Sequence, residues 1–251
     1  MIELPNYKTY FGGKQASGVY QTIINHIPKH VIYVEPFLGR GTIMRLKRPA
    51  PLWNIGIDKD LDLCNEWAAA ANDSRFIIYN TCGIEFLESM SDSTKIAGMS
   101  GSDVFVYLDP PYLLNTRLSP KKQYKHELTE ADHIRLLQAA VNCKYNVAIS
   151  CYDNDLYSRM LPGWRKINFK SQTRRGQATE TLYMNYPEPT ELHDYSFLGR
   201  NFRERERIKQ KVKRHVNRLN QLPVHERNAI INAISEKVSG HNTIFNDWRH
   251  G

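Results

Sequence analysis

The chain has 251 residues, 41% apolar and 24% charged, with 34 lysines and arginines against 26 aspartates and glutamates, a net charge of +8. This is an ordinary globular balance, long enough for one sizeable core with a small appendage, and no repeat or low-complexity tract interrupts it. No stretch approaches the roughly 20 apolar residues of a membrane span, and Met1-Ile2-Glu3-Leu4-Pro5 lacks the regions of a secretory signal, so a cytoplasmic location is expected.

In chain order, β-rich apolar runs predict strands over residues 31–34, 53–57, 76–79, 104–108, 146–150, 165–169 and 181–185, most of them separated by helix-length segments. That rhythm predicts an α/β fold with a mostly parallel, seven-stranded sheet. Helices are expected over residues 18–26, 61–71 and 130–142, the last carrying Ile134, Leu137 and Val141 at a 3.6-residue period behind Thr129 as N-cap. Residues 171–180 read as a polar, glycine-containing loop, so the last two strands can close the sheet as an antiparallel pair.

Past Pro187 and Pro189 the composition changes. A basic helix carries Ile208, Val212, Val216 and Leu219 as an apolar stripe. A second starts near Pro223 and carries Ala229, Ile230, Ala233, Ile234 and Val238 before Gly240 stops it. The expectation is a catalytic domain over residues 1–190 and a basic helical appendage over 191–251, with a helical hairpin over 199–251 docked on the sheet domain. Between Arg200 and Arg218 nine bases face only Glu204 and Glu206, so nearly all the net positive charge is here. Such a surface favours polyanions through counterion release, although a solvated helix face has the same composition. Cys64, Cys82, Cys143 and Cys151 lie far apart with no Cys-x-x-Cys pair and no zinc-like histidine spacing, so reduced thiols and no metal are expected.

The most informative residues are Asp109-Pro110-Pro111-Tyr112, directly after the apolar run 104–108. Two prolines end the ladder because neither donates a backbone N–H. In open α/β sheets ligands bind beyond the carboxyl ends of strands, so an acid, a proline carbonyl and an aromatic ring are delivered together into the crevice. Asp109 and the Pro110 carbonyl only accept hydrogen bonds and Tyr112 offers a flat face, partners that suit an exocyclic amine on a planar base. For Tyr112 the plainer alternative is a core aromatic closing the turn.

Upstream, the strand at 31–34 runs through Glu35-Pro36-Phe37-Leu38-Gly39-Arg40-Gly41-Thr42, where two glycines let the backbone approach a ligand closely. A dinucleotide fingerprint requires a third glycine where Met44 stands, which disfavours a pyrophosphate ligand and a nicotinamide oxidoreductase. Asp58 ends the next strand at the spacing where such sheets hold ribose hydroxyls. Each feature alone has a bland counterpart, a tight turn for Gly39 and Gly41 and a helix cap for Asp58. Their order with the acid-proline turn argues for a site.

With these residues assembled, the chain resembles the Dam-type (D12) family of S-adenosylmethionine-dependent N6-adenine DNA methyltransferases. The resemblance rests on Tyr10-Phe11-Gly12-Gly13-Lys14, residues 35–41, Asp58, residues 109–112, Ile149-Ser150-Cys151-Tyr152 and residues 180–186, covering roughly Tyr7 to Tyr186. It implies a Rossmann-like class I methyltransferase fold with helices on both sheet faces, in a bacterial or phage-encoded, site-specific adenine methyltransferase. It also implies that Tyr10 and Lys14 contact the cofactor together with Glu35, Pro36, Phe37, Gly39 and Gly41, that Asp58 holds its ribose, and that Asp109 lies where cofactor and base meet. Asp109, Pro110, Pro111 and Tyr112 are the expected catalytic set, acting on a flipped base without a metal.

The chain departs from the family in one respect. Only about 70 residues separate the glycine loop from Asp109, which leaves no room for a separate sequence reader. Nucleic acid is therefore expected on Arg117, Lys121, Lys122, Tyr124 and Lys125 beside the site, on Arg174 and Arg175 before the last strand, and on Arg203, Arg207, Lys211 and Arg214 of the basic helix. Phosphate contacts position without specifying, so a short or relaxed target is expected, for restriction protection, phage evasion or regulation. The same acceptors suit RNA adenine or DNA cytosine N4, and a non-catalytic nucleic-acid-binding protein on the same fold is the alternative from another class.

Overall fold

The computed structural model of the protein describes residue 14 and residues 18–91, 99–117, 124–173 and 176–238. Seven strands form one sheet: β1 Ile32–Glu35, β2 Trp53–Asp58, β3 Phe76–Asn80, β4 Val104–Leu108, β5 Asn146–Tyr152, β6 Arg165–Thr173 and β7 Gly176–Met184. Their order is β3-β2-β1-β4-β5-β7-β6, with β1 to β5 parallel and β7 running antiparallel between β5 and β6. This is a Rossmann-like α/β arrangement, with the mostly parallel, seven-stranded sheet expected from the sequence.

The helices are α1 Val19–Ile24, α2 Thr42–Leu46, α3 Leu61–Ala70, α4 Gly83–Ser91, α5 Glu130–Asn142, α6 Asp155–Met160, α7 Phe202–Asn220 and α8 Val224–Val238. Side-chain alternation on the central strands builds one core on each sheet face. Ile32 and Val34 of β1 join Val104, Val106 and Leu108 of β4 beneath Leu87 of α4, Leu137 of α5 and Tyr157 of α6. Tyr33, Phe105 and Tyr107 point the other way, into Ile23 of α1, Met44 of α2 and Trp67 of α3. Every residue of β1 and β4 is buried, and burial on both faces makes a parallel strand read as a continuous apolar run.

Two expectations shift. The face that α5 buries is His133, Leu136, Leu137 and Ala140, while Val141 is half-exposed. Leu137 belongs to either stripe, and the observed one places Leu136 inside and uses small Ala139 and Ala140 where the helix meets the core. Thr129 caps the helix as expected, accepting from the Asp132 amide at 3.2 Å. The expected loop at 171–180 is largely strand, since pairing runs from Arg165↔Met184 to Thr173↔Gly176. An antiparallel hairpin tolerates this polar stretch because its residues alternate between a covered and a wet face.

The chain divides into two compact units, Met1–Leu198 and Gly199–Gly251. Residues 191–198, grouped by sequence with the appendage, are tied to the first unit through a bridge between Pro28 and Leu192 and a bond from the Arg48 amide to Asp194 (2.8 Å). In the second unit α7 forms its expected apolar stripe but buries none of it, and Val212 is 57% exposed. Among the described residues no helix is long and apolar enough to cross a membrane. All four cysteines are free thiols.

Gly83 fixes how α4 meets the loop after β1. A Cβ built there falls 2.0 Å from the Pro36 carbonyl oxygen, a backbone atom with nowhere to go. Gly83→Ala is therefore expected to lower the unfolding free energy by about 1–3 kcal/mol in a urea titration.

Candidate active site

The site is built where the parallel strands end. Leu108 pairs with Ile149, so the next residues, Asp109 and Ser150, emerge side by side. The Ser150 hydroxyl donates to Asp109 Oδ1 at 2.7 Å and lies 2.9 Å from the Tyr107 hydroxyl below it. Lys14 Nζ reaches the same Oδ1 at 2.8 Å. Both bonds fall on one oxygen, and among the described residues Oδ2 receives none. The Asp109 side chain is 18% exposed, which leaves a path to that oxygen.

Lys14 is the hub. Its ammonium also donates to the Tyr112 hydroxyl at 2.6 Å and lies 3.4 Å from Glu180 Oε2, with its side chain only 5% exposed. Tyr112 in turn donates to Glu180 Oε2 at 2.7 Å. Burial works against the Lys14 charge, but Asp109 and Glu180 outweigh it and hold the ammonium well above the usual lysine range. Burial pushes Asp109 up, and Lys14 only partly offsets it. Glu180 also loses hydration, yet Lys14 and the Tyr112 hydroxyl bring it below its ordinary value.

The Tyr112 ring is 7% exposed, edge-on to Tyr152 at 4.7 Å with Lys14 over it at 4.7 Å. It closes the turn as a core aromatic. Pro110 is buried and Pro111 half-buried beside it. His133 lies within the core, its Nδ1 2.8 Å from the Tyr157 hydroxyl and its ring held neutral by burial, with a pKa of about 4.

A cleft extends from Lys14 and Asp109 past the loop after β1 to Asp58, Cys82 and Ile84. Glu35, Pro36, Phe37, Gly39 and Gly41 all line it. Gly39 and Gly41 have φ of 48° and 54°, the left-handed region that favours glycine. A Cβ on Gly41 would stand 2.3 Å from the Trp67 ring, whose Nε1 donates to the Gly39 carbonyl at 3.0 Å. Asp58 braces the loop, its Oδ2 accepting from the Gly39 amide and its Oδ1 from the Asp60 amide, at 2.8 and 2.9 Å. A carboxylate offers about four acceptor positions, so each oxygen keeps one for a ligand. Glu35 is buried, accepts from the Tyr33 hydroxyl at 2.9 Å and is raised to about 8, mainly by loss of hydration.

The residues expected to hold nucleic acid lie in three kinds of place. Arg117 is a buried strap: its guanidinium, 4% exposed, bonds the Tyr112 carbonyl and grips both oxygens of Glu127 at 2.8 and 2.6 Å. A charge so engaged braces the turn after β4, and the sequence, reading only a basic run, does not reveal the partner. Tyr124 packs under Arg117 and lines the cleft. Lys125 is exposed but bridges the cleft rim to Asp60 at 2.9 Å. Arg203, Arg207, Lys211 and Arg214 are exposed on α7. Tyr10, Lys121, Lys122, Arg174 and Arg175 lie outside the described residues. Ser150 and Glu180 join the site although sequence assigned them no role; only strand register brings them there. Among the described residues no cluster of three or more His, Cys, Asp or Glu could hold a metal.

No protein-family model matches the chain, and no curated protein matches it in sequence. Among solved structures, an rRNA methylase from Streptococcus thermophilus aligns at 8% identity over 66% of this chain and 92% of its own, with a TM-score of 0.43. The precorrin 8w decarboxylase of Methanobacterium thermoautotrophicum aligns at 10% identity over 70% and 92%, with a TM-score of 0.42. A SAM-dependent methyltransferase from Agrobacterium tumefaciens aligns at 8% over 66% and 58%, with a TM-score of 0.38. Likenesses this distant carry no argument about substrate or cofactor.

Glu35 gives the site a pH signature. Between its ordinary value of 4.5 and about 8 the unfolded chain has released a proton that the folded chain retains, so the contribution of Glu35 to stability falls as pH rises through that window. Lys47, buried nearby and depressed to about 7, acts in the opposite sense only above that pH, and the buried His133 and His193, both depressed to about 4, act in the opposite sense below 6.5. Urea titrations at pH 5, 6 and 7 are expected to show the stability of the wild type falling relative to that of Glu35→Gln as pH rises; parallel pH dependences would refute the assignment.

Proposed function

We propose that this protein is an adenine N6-methyltransferase acting on DNA with S-adenosylmethionine as donor. The observation that carries the reading is an acid at the tip of β4 with one oxygen secured by Ser150 and Lys14 and the other, among the described residues, unengaged. It stands at the mouth of a cleft floored by a glycine loop and an aspartate. The cleft suits the cofactor's chemistry. Gly39 and Gly41 present backbone without Cβ, Phe37 and Ile84 supply apolar wall, and Asp58 has acceptors for ribose hydroxyls. When bound, S-adenosylmethionine supplies a methyl group already activated by its sulfonium.

The rest is done by the chain. Adenine N6 is a poor nucleophile because its lone pair is shared with the ring. Asp109 Oδ2, with the Pro110 carbonyl assigned as second acceptor from the sequence, accepts from its two hydrogens, draws the nitrogen toward tetrahedral geometry and localises that pair. Alignment at near-attack distance then provides much of the acceleration, and the displaced proton passes to solvent. In a duplex the base must be extruded at a cost of a few kcal/mol. Arg203, Arg207, Lys211 and Arg214 recur at i, i+4, i+8 and i+11, so one face of α7 presents four cations to a phosphate backbone. With no separate sequence reader between the glycine loop and Asp109, the target is short or relaxed.

Asp109→Ala is expected to abolish methyl transfer while leaving cofactor binding measurable by calorimetry. Transfer of labelled methyl to duplex DNA, single-stranded DNA and RNA, with digestion to nucleosides, identifies the substrate; N4-methylcytosine or methylated RNA as the main product would replace the DNA-adenine reading. Changing Arg203, Arg207, Lys211 and Arg214 together to Gln is expected to flatten the slope of log affinity against log salt by up to about 3.6, at roughly 0.9 for each phosphate no longer neutralised. An unchanged slope would remove α7 from the interface.

A further inference from the structure

Glu180 is a buried acid to which the methyl-transfer chemistry gives no task. It comes from β7, the strand that runs against the others, and its register with Tyr152 puts it at the same sheet edge as Asp109. It is 6% exposed, accepts the Tyr112 hydroxyl and shares Lys14 with Asp109. Burying a second carboxylate costs several kcal/mol of hydration, and an apolar residue of similar size would fill the space more cheaply, so fold stability alone does not explain it.

We propose that Glu180 is a positioning residue of the active site, holding the Tyr112 hydroxyl and drawing the Lys14 ammonium so that Asp109 keeps one oxygen free for the substrate amine. The inference rests on the methyltransferase reading for its consequence but on geometry for its substance. Three contacts make a closed triangle: Lys14 to Tyr112 at 2.6 Å, Tyr112 to Glu180 at 2.7 Å, and Lys14 to Glu180 at 3.4 Å. Lys14 already bonds Asp109 Oδ1 at 2.8 Å, and without the charge of Glu180, 3.4 Å away, Asp109 is the one carboxylate of the pair left to hold it, with nothing on the other side to keep it from Oδ2. Two carboxylates around one ammonium also leave a net negative charge beside the amine nitrogen, which becomes cationic as it accepts a methyl group.

The groups facing the two acids are Lys14, Tyr33 and Glu35 on β1, Tyr107 on β4, Tyr112 in the turn, Tyr124 in the loop beyond, Cys151 and Tyr152 on β5, and Tyr157 on α6. Of these, Lys14 is the cation that both acids share. Glu180 pushes the Asp109 carboxyl up and Lys14 pulls it down, so neutralising Glu180 acts on Asp109 in one direction.

The test is Glu180→Gln in the full-length protein, with two readouts. In carbon-13 NMR of Asp-labelled protein, with the signal assigned by Asp109→Asn, the Asp109 titration midpoint is expected to move to lower pH. In methyl transfer, kcat is expected to fall by on the order of tenfold to a hundredfold with the cofactor KM unchanged, and the acid limb of kcat to move to lower pH. Loss of the Glu180 charge moves the midpoint whatever its role, so the split between kcat and KM decides: damage to the fold alone would raise the cofactor KM along with any loss of kcat. Unchanged kcat, or a loss of kcat shared by the cofactor KM, overturns the proposal. If Glu180→Gln does not fold, Tyr112→Phe opens the same triangle: a fall in kcat at unchanged cofactor KM supports the proposal, and unchanged kcat overturns it. A midpoint that moves on Glu180→Gln while the wild type is inactive on every nucleic acid would sink the methyltransferase reading and leave the coupling of Glu180 to Asp109 standing.

Discussion

Two carboxylates and one ammonium, all withdrawn from water at the carboxyl edge of the sheet, are the constraint on which the site depends. Each of the three would be costly to bury alone. Together they offset one another, and the Tyr112 and Ser150 hydroxyls add donors to the same two oxygens, Glu180 Oε2 and Asp109 Oδ1, that face the ammonium. Lys14 is 95 positions from Asp109 and 166 from Glu180 in the chain, so only a closed fold assembles the cluster. The arrangement ties the geometry of the site to Lys14, the turn after β4 and the antiparallel strand β7.

The sheet makes this possible by being unyielding. With both faces of β1 and β4 buried, the strand tips have little freedom, and the residues just beyond them are aimed by the register of the ladder. Asp109 and Ser150 meet because Leu108 and Ile149 pair; Glu180 arrives because it pairs with Tyr152. The loop after β1 is pinned on three sides, by Trp67 on the Gly39 carbonyl, by Asp58 on the Gly39 amide and by Gly83 beneath Pro36. A cleft with such walls is preorganised, which is the condition under which positioning contributes most to rate.

Charge is used in two ways along the chain. Near the site it is paired: Arg117 with Glu127, Lys125 with Asp60, Lys14 with two acids. On α7 it is concentrated on an exposed helix with only Glu204 and Glu206 to offset it. Paired, buried charge holds shape, whereas unbalanced surface charge attracts polyanions over a Debye length. Both read alike as basic runs in the sequence.

The amino-acid sequence by itself determined the sheet, its strands and their mostly parallel sense, because doubly buried strands and the helical segments between them have characteristic periods. It also marked Asp109, the glycine loop and Asp58, since prolines, glycines and strand-end acids constrain the backbone locally. The buried face of α5 and the extent of the β6–β7 hairpin escaped it, because a shared leucine fits two helical stripes and a wet hairpin face resembles a loop. Only the tertiary structure decided that Arg117 is a strap, that the Tyr112 ring is enclosed, and that Ser150 and Glu180 belong to the site. Those facts are set by partners distant in the chain, and no local pattern encodes which charge a folded sheet brings to which acid.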